Sequence, residues 1–189
     1  MTYEPQDFSN LIGLEGFSNE SLNTHFKLYQ GYVANTNKVA DKLKNIETPS
    51  PEYAELKRRF GWEFNGMRLH EYHFSAMTKE FQPLAPESPL HKKIEEDFGS
   101  FKNWEADFRS VASIRGIGWA ILYWDKTANK LFNVFVNEHD LGHLGGATIL
   151  LNLDVFEHAF LIDYSTDKKA YIDAFMKTID WHKIEERYK

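Results

Sequence analysis

Asp154 and His158 stand four residues apart, separated by Val155, Phe156 and Glu157 and followed by Ala159-Phe160. That spacing brings a carboxylate and an imidazole to one side of a single helical or turn segment. An oxygen donor beside a nitrogen donor at the end of an apolar run makes half of a transition-metal site. Most Asp-x-x-x-His pairs are caps or surface pairs, and the flank is what sets this one apart. Ile149-Leu150-Leu151-Asn152-Leu153 reads as a buried strand that delivers Asp154. A charged group in that position needs a partner or a metal.

The chain has eight His. His91 and His182 lie among charged helical residues and read as solvated. His25, His70, His73, His139, His143 and His158 remain as candidates for chemistry. Read alone, His25 lines an amphipathic helix and His73 is a buried, hydrogen-bonded histidine. His70 reads as structural. His139-Asp140-Leu141-Gly142-His143 offers a rival His pair, but that spacing presents both rings together only on a helix. Gly142, Gly145 and Gly146 argue for a loop, with one His reaching the main site. With no Cys in the chain, disulfides, thiolate zinc sites and iron–sulfur clusters are excluded.

The elements that must position these residues follow from periodicity and punctuation. Residues 1–17 read as a turn-rich arm. A helix runs from about Asn19 to Asn45, capped by Ser18 or Ser21, with Leu22, His25, Phe26, Tyr29, Tyr32 and Val33 on one face. Thr48-Pro49-Ser50-Pro51 ends it. A second helix, from about Pro51 through Met77, closes an antiparallel hairpin. Three Pro within 83–89 mark a domain boundary, giving units 1–86 and 87–189. Next comes a helical unit interrupted near Gly99, with Ser100 capping its second part. Trp119–Trp124 and Leu131–Val136 form a β-hairpin. A loop, the strand at 148–153, the Asp154 segment and one last helix from about Asp167 to Tyr188 complete the chain. The expected fold class is mixed α + α/β: an N-terminal antiparallel α-helical hairpin followed by an α+β domain with a small three-stranded antiparallel sheet.

The net charge of −6 and the lack of a basic tract give no support to nucleic-acid or anionic-membrane binding. No apolar run approaches the ~20 residues that a membrane span requires. Met1–Phe17 has neither a basic nor an apolar leader segment, so a cytoplasmic location is the default.

Several stretches, in order along the chain, resemble the iron/manganese superoxide dismutases. Asp154-Val155-Phe156-Glu157-His158-Ala159, with Tyr164, resembles that family's Asp-x-Trp-Glu-His-Ala-x-x-x-x-Tyr signature. Phe98-Gly99-Ser100-Phe101 resembles its Phe-Gly-Ser-Phe, and Gly116-Ile117-Gly118-Trp119 its Gly-Ser-Gly-Trp. Trp181 with Glu186-Arg187-Tyr188 is similar to its C-terminal helix. Tyr32-Val33 with Asn35 and Asn37, and Phe64-Asn65 followed by His73, are similar to its N-terminal hairpin.

The resemblance implies one Fe or Mn ion per chain, held by His25, His73, Asp154 and His158. It implies disproportionation of superoxide to oxygen and hydrogen peroxide, with Tyr32 as the active-site tyrosine. His139 is expected against the coordinated solvent, with Glu138 as the competing register. A homodimer with Glu157 at the interface is implied as well. The chain also departs from the family. His25 to Tyr32 spans seven residues where the family has eight. Tyr29 (or Leu28) stands for a second His, Met77 for the Trp after the second ligand, Phe156 for the signature Trp, and Leu161 for a Tyr. These departures motivate a rival reading, a non-catalytic metal-binding or scaffold protein of the same fold. A zinc or iron hydrolase or oxygenase is a second rival. The ligand list leaves Fe against Mn, and dimer against tetramer, open.

Overall fold

The structure is a computed structural model that describes residues 2–189. Its first half is a pair of long antiparallel helices, α1 (Asn19–Lys42) and α2 (Pro51–Phe74). Each begins where a serine side chain takes an orphan backbone donor: Ser18 accepts from the Ser21 N–H and Ser50 from the Tyr53 N–H. Pro51 opens α2, where its missing N–H costs nothing. Leu22, His25, Tyr29, Val33 and Thr36 form the buried seam of α1. The arm ahead of α1 folds back over the hairpin and buries Phe8, Leu11, Leu14 and Phe17.

The second half opens with α3 (Pro89–Phe98) and α4 (Phe101–Ala112). Ser88 and Ser100 cap them, and Gly99 ends α3 in the left-handed conformation (φ 80°) that favours glycine. Three antiparallel strands follow, β1 (Gly118–Asp125), β2 (Lys130–Asn137) and β3 (Thr148–Asp154), in the order β2-β1-β3. The central strand is buried on both faces. Ala120 and Leu122 join the main core, while Trp119, Ile121 and Tyr123 pack with Leu69 and Phe156 on the other side. Gly118 is required at the start of β1, because a Cβ there would lie 2.1 Å from the Val136 carbonyl oxygen. The mixed fold class is as expected, and the main core is continuous from the arm at Phe8 to Ile184 near the C-terminus.

The chain ends in three short helices, α5 (Glu157–Tyr164), α6 (Lys168–Phe175) and α7 (Trp181–Arg187). The single helix expected over 167–188 is therefore broken. Tertiary hydrogen bonds override its helical periodicity. Ile179 forms a β-bridge with Met77, the Thr78 N–H donates to the Thr178 carbonyl, and the Asp180 N–H donates to the Ala76 carbonyl. The Asp180 side chain then restarts the helix by accepting from the Lys183 N–H. From α7, the Arg187 guanidinium donates to the carbonyls of Leu150 and Tyr72 and to Ser75 Oγ. This fork ties β3 to the end of α2, the two elements that carry half of the site described below.

Gly31 and Gly61 sit inside α1 and α2, where an added Cβ would meet nothing within 4 Å. Replacing either by alanine should stabilise the fold by about 0.5–1 kcal/mol through the reduced freedom of the unfolded chain. A rise of roughly 1–4 °C in thermal midpoint would register it.

Candidate metal centre

Asp154 is the last residue of β3 and is fully buried. Its backbone is pinned, since the Tyr171 hydroxyl donates to its carbonyl at 2.7 Å and the neighbouring Val155 N–H donates to Gly118. Its Oδ1 accepts the Phe156 N–H at 2.8 Å. That leaves Oδ2 facing three imidazoles: His25 Nε2 of α1 at 3.1 Å, His158 Nε2 of α5 at 3.2 Å and His70 Nε2 of α2 at 3.5 Å. The four donor atoms lie within 4.8 Å of one another. His25 and His70 are buried, and the His158 side chain is 22 % exposed.

His70 shows what the cluster requires. Its Nδ1 lies 2.5 Å from the Gly66 carbonyl oxygen, which can only accept, so the ring proton sits on Nδ1. A neutral ring then carries a bare lone pair on Nε2. Burial, and next the charge of His25, hold His70 well below the ordinary histidine range, so the ring is neutral at pH 7. Its Nε2 has no hydrogen-bond partner among the described residues and faces the Asp154 carboxylate lone pair to lone pair. An unsatisfied buried acceptor costs about 1–3 kcal/mol, and a cation between the two atoms removes that cost. Burial alone would raise the Asp154 carboxyl, but the charge and hydrogen bond of His158, with those of His25, hold it well below the usual carboxylate range. Imidazole nitrogen and carboxylate oxygen suit Mn, Fe and Zn. Bonds near 2.1 Å put neighbouring donors of one ion roughly 3.0–3.6 Å apart, the spacing found about Asp154 Oδ2.

Residues 86–187 match the family model for the C-terminal domain of iron/manganese superoxide dismutases. An iron superoxide dismutase of Aquifex pyrophilus is 35 % identical over 98 % of this chain and 91 % of its own length. The chain belongs to the iron/manganese superoxide dismutases. A manganese superoxide dismutase of Halobacterium salinarum is 36 % identical over 87 % of this chain and 82 % of its own length. An iron superoxide dismutase of Pyrobaculum aerophilum is 29 % identical over 86 % and 79 %. Relatives named for each metal thus resemble this chain to a similar degree.

Of the four ligands expected from sequence, the structure brings together His25, Asp154 and His158. His73 is not among the clustered donors, and His70 is. The two positions are three residues apart on α2, about 60° around the helix and one turn along it. The Nδ1–H of His73 donates to the Asn152 carbonyl at 3.3 Å, and its ring stacks on Phe175. With His70 in the cluster, the aromatic four residues on is Phe74, which packs on both His25 and His70, and not Met77. The signal that could have found His70 is Gly66, one helical turn earlier, where the Tyr32 ring of α1 leaves no room for a Cβ.

Tyr32 and His139 also meet here. Trp119 Nε1 can only donate, and it does so to His139 Nδ1 at 3.1 Å, so the neutral ring carries its proton on Nε2. That N–H donates to the Tyr32 hydroxyl at 2.7 Å. Burial pulls His139 down to about 4 and pushes the Tyr32 phenol up. Tyr32 therefore accepts from His139 and keeps its own proton available to a third partner. Glu138, the competing register, lies outside this contact, and its carboxylate accepts from Trp62 Nε1. Tyr29 donates to Glu71 and accepts from the Gln6 N–H, so it staples the N-terminal arm.

His73 gives a pH signature. Burial lowers it to about 3 in the fold, against 6.5 when free. Below pH 6.5 the unfolded chain takes up a proton that the folded chain refuses until about 3. Stability is thus complete above that window and falls through it, by about 1.4 kcal/mol per pH unit for this one group. Denaturant titrations of metal-free His73→Phe between pH 6 and 4 should show a pH dependence shallower by that amount.

Proposed function

We propose that this chain disproportionates superoxide at a single Fe or Mn ion held by His25, His70, Asp154 and His158. The observation that carries this reading is the bare Nε2 of fully buried His70 facing Oδ2 of fully buried Asp154. Two superoxide ions and two protons give dioxygen and hydrogen peroxide. An Fe or Mn ion bound there would supply the one-electron exchange. The protein supplies protons and position. Tyr32 holds a hydroxyl proton next to the ligands, and His139 fixes the direction of that proton by filling the tyrosine oxygen's acceptor site. Phe74, Trp119 and Phe156 wall the ligands with apolar surface, which strengthens every charge interaction inside.

The same reading divides the chain into units 1–86 and 87–189, each donating two ligands. It also pairs two copies through α5, where Glu157 is exposed beside half-buried His158, and Leu161 and Ile162 are each 44 % exposed. The decisive experiment measures metal content and superoxide decay on the same sample. Fe or Mn near one per chain, with decay faster than the free metal gives, supports the reading. A fully metallated sample no faster than free metal overturns it, and Zn at one per chain overturns the redox assignment.

A further inference from the structure

We propose that His143 is a positioning residue: together with Tyr123 it latches the backbone of the 137–146 loop at His139, and so fixes the imidazole that meets Tyr32. The inference rests on the reading of His139 given above. The His143 Nε2 lies 2.9 Å from the His139 carbonyl oxygen, which can only accept, so the ring proton is on Nε2 and donates there. In that tautomer Nδ1 is bare and accepts the Tyr123 hydroxyl at 2.6 Å. Tyr123 and Trp119 lie four residues apart on β1, hence on one face of the strand. The two hold both ends of one residue, Trp119 the His139 side chain directly and Tyr123 the His139 carbonyl through His143.

The loop needs such a hold. Glu138 sits in the left-handed region (φ 52°), which non-glycine residues rarely adopt. Gly142, Gly145 and Gly146 follow His139 and lend the segment freedom. Upstream of them the backbone ties are the reciprocal bonds between Asn137 and Leu141, and the Glu138 N–H to the Ile117 carbonyl. Neither reaches the His139 carbonyl. The relay ends at a carbonyl, so His143 transfers no proton and acts through geometry alone.

The test compares His143→Leu, which can make neither bond, with His143→Gln, whose amide can donate to the His139 carbonyl and accept from Tyr123. Metal-loaded His143→Leu should keep its metal content but dismute superoxide roughly tenfold more slowly, and His143→Gln should recover to within about twofold. A second readout is independent of turnover. In zinc-loaded, diamagnetic protein, the Trp119 indole N–H resonance, assigned through Trp119→Phe, reports the bond to His139 Nδ1. It should shift in His143→Leu and return in His143→Gln. An unmoved resonance with wild-type rate, a Gln variant as impaired as the Leu variant, or loss of metal from His143→Leu would each overturn the latch. If His143→Leu does not fold, Tyr123→Phe decides by the same resonance, whose failure to move overturns the proposal. His139→Ala separates the two readings: wild-type dismutation in that variant sinks the role given to His139, while the indole resonance still judges His143.

Discussion

Replacing His70 with alanine should empty the site of metal. The other three donors would remain, but a loss of one ligand removes a direct bond to the ion. Affinity should fall by at least ~100-fold, the upper end of what loss of a mere supporting contact costs. The physical reading is by linkage. An ion that binds only the folded chain stabilises it by about 4 kcal/mol at a thousandfold excess over its dissociation constant. Wild-type protein should therefore show a large rise in thermal midpoint when Mn or Fe is added, and His70→Ala should show little. The difference between loaded and metal-free melts isolates this from the packing that the alanine also removes, because the packing loss is common to both.

His73→Phe is the control that makes the result specific. Phenylalanine keeps the stack on Phe175 and loses only the bond to the Asn152 carbonyl, about 1 kcal/mol. It should bind metal as the wild type does. If instead His73→Phe came out metal-free and His70→Ala remained loaded, the ligand set expected from sequence would be reinstated.

The contrast between those two histidines shows where sequence reading stops. The helix starts at Ser18 and Ser100 were legible because each side chain makes a local bond to backbone three residues on. Asp154 with His158 was legible for the same reason, since both lie in one strand-to-helix turn. The choice between His70 and His73 depends on how far α2 is rotated against α1, and both positions are buried, so periodicity admits either. Phe64-Asn65 suggested a register that the packing does not keep. The break at 176–180 was hidden for a related reason, because the bonds that make it run to residues 76–78 in another part of the chain. The resemblance put His139 ahead of Glu138, and contacts in the fold separate the two, since His139 meets Tyr32 whereas Glu138 accepts from Trp62.

Gly66→Ala should be the most damaging single-methyl change in the hairpin. An added Cβ would lie 2.5 Å from the Tyr32 ring, closer than real Cβ contacts come, and the Tyr32 hydroxyl is held by His139. Either Tyr32 moves, which breaks its bond to His139, or α2 backs away from α1. The second route drags the Gly66 carbonyl, and that carbonyl fixes the tautomer of His70. Both outcomes disturb the site, one through Tyr32 and the other through His70. Overpacking of this kind costs about 1–3 kcal/mol, against the gain of about 0.5–1 kcal/mol that the same substitution should give at Gly61. The two routes are separable. Displacement of Tyr32 lowers the dismutation rate at full metal occupancy, whereas retreat of α2 lowers occupancy itself. A Gly66→Ala protein with wild-type stability, metal content and rate would mean that Tyr32 is not held against α2 at all, and the proton-donor geometry argued for it would have to be abandoned.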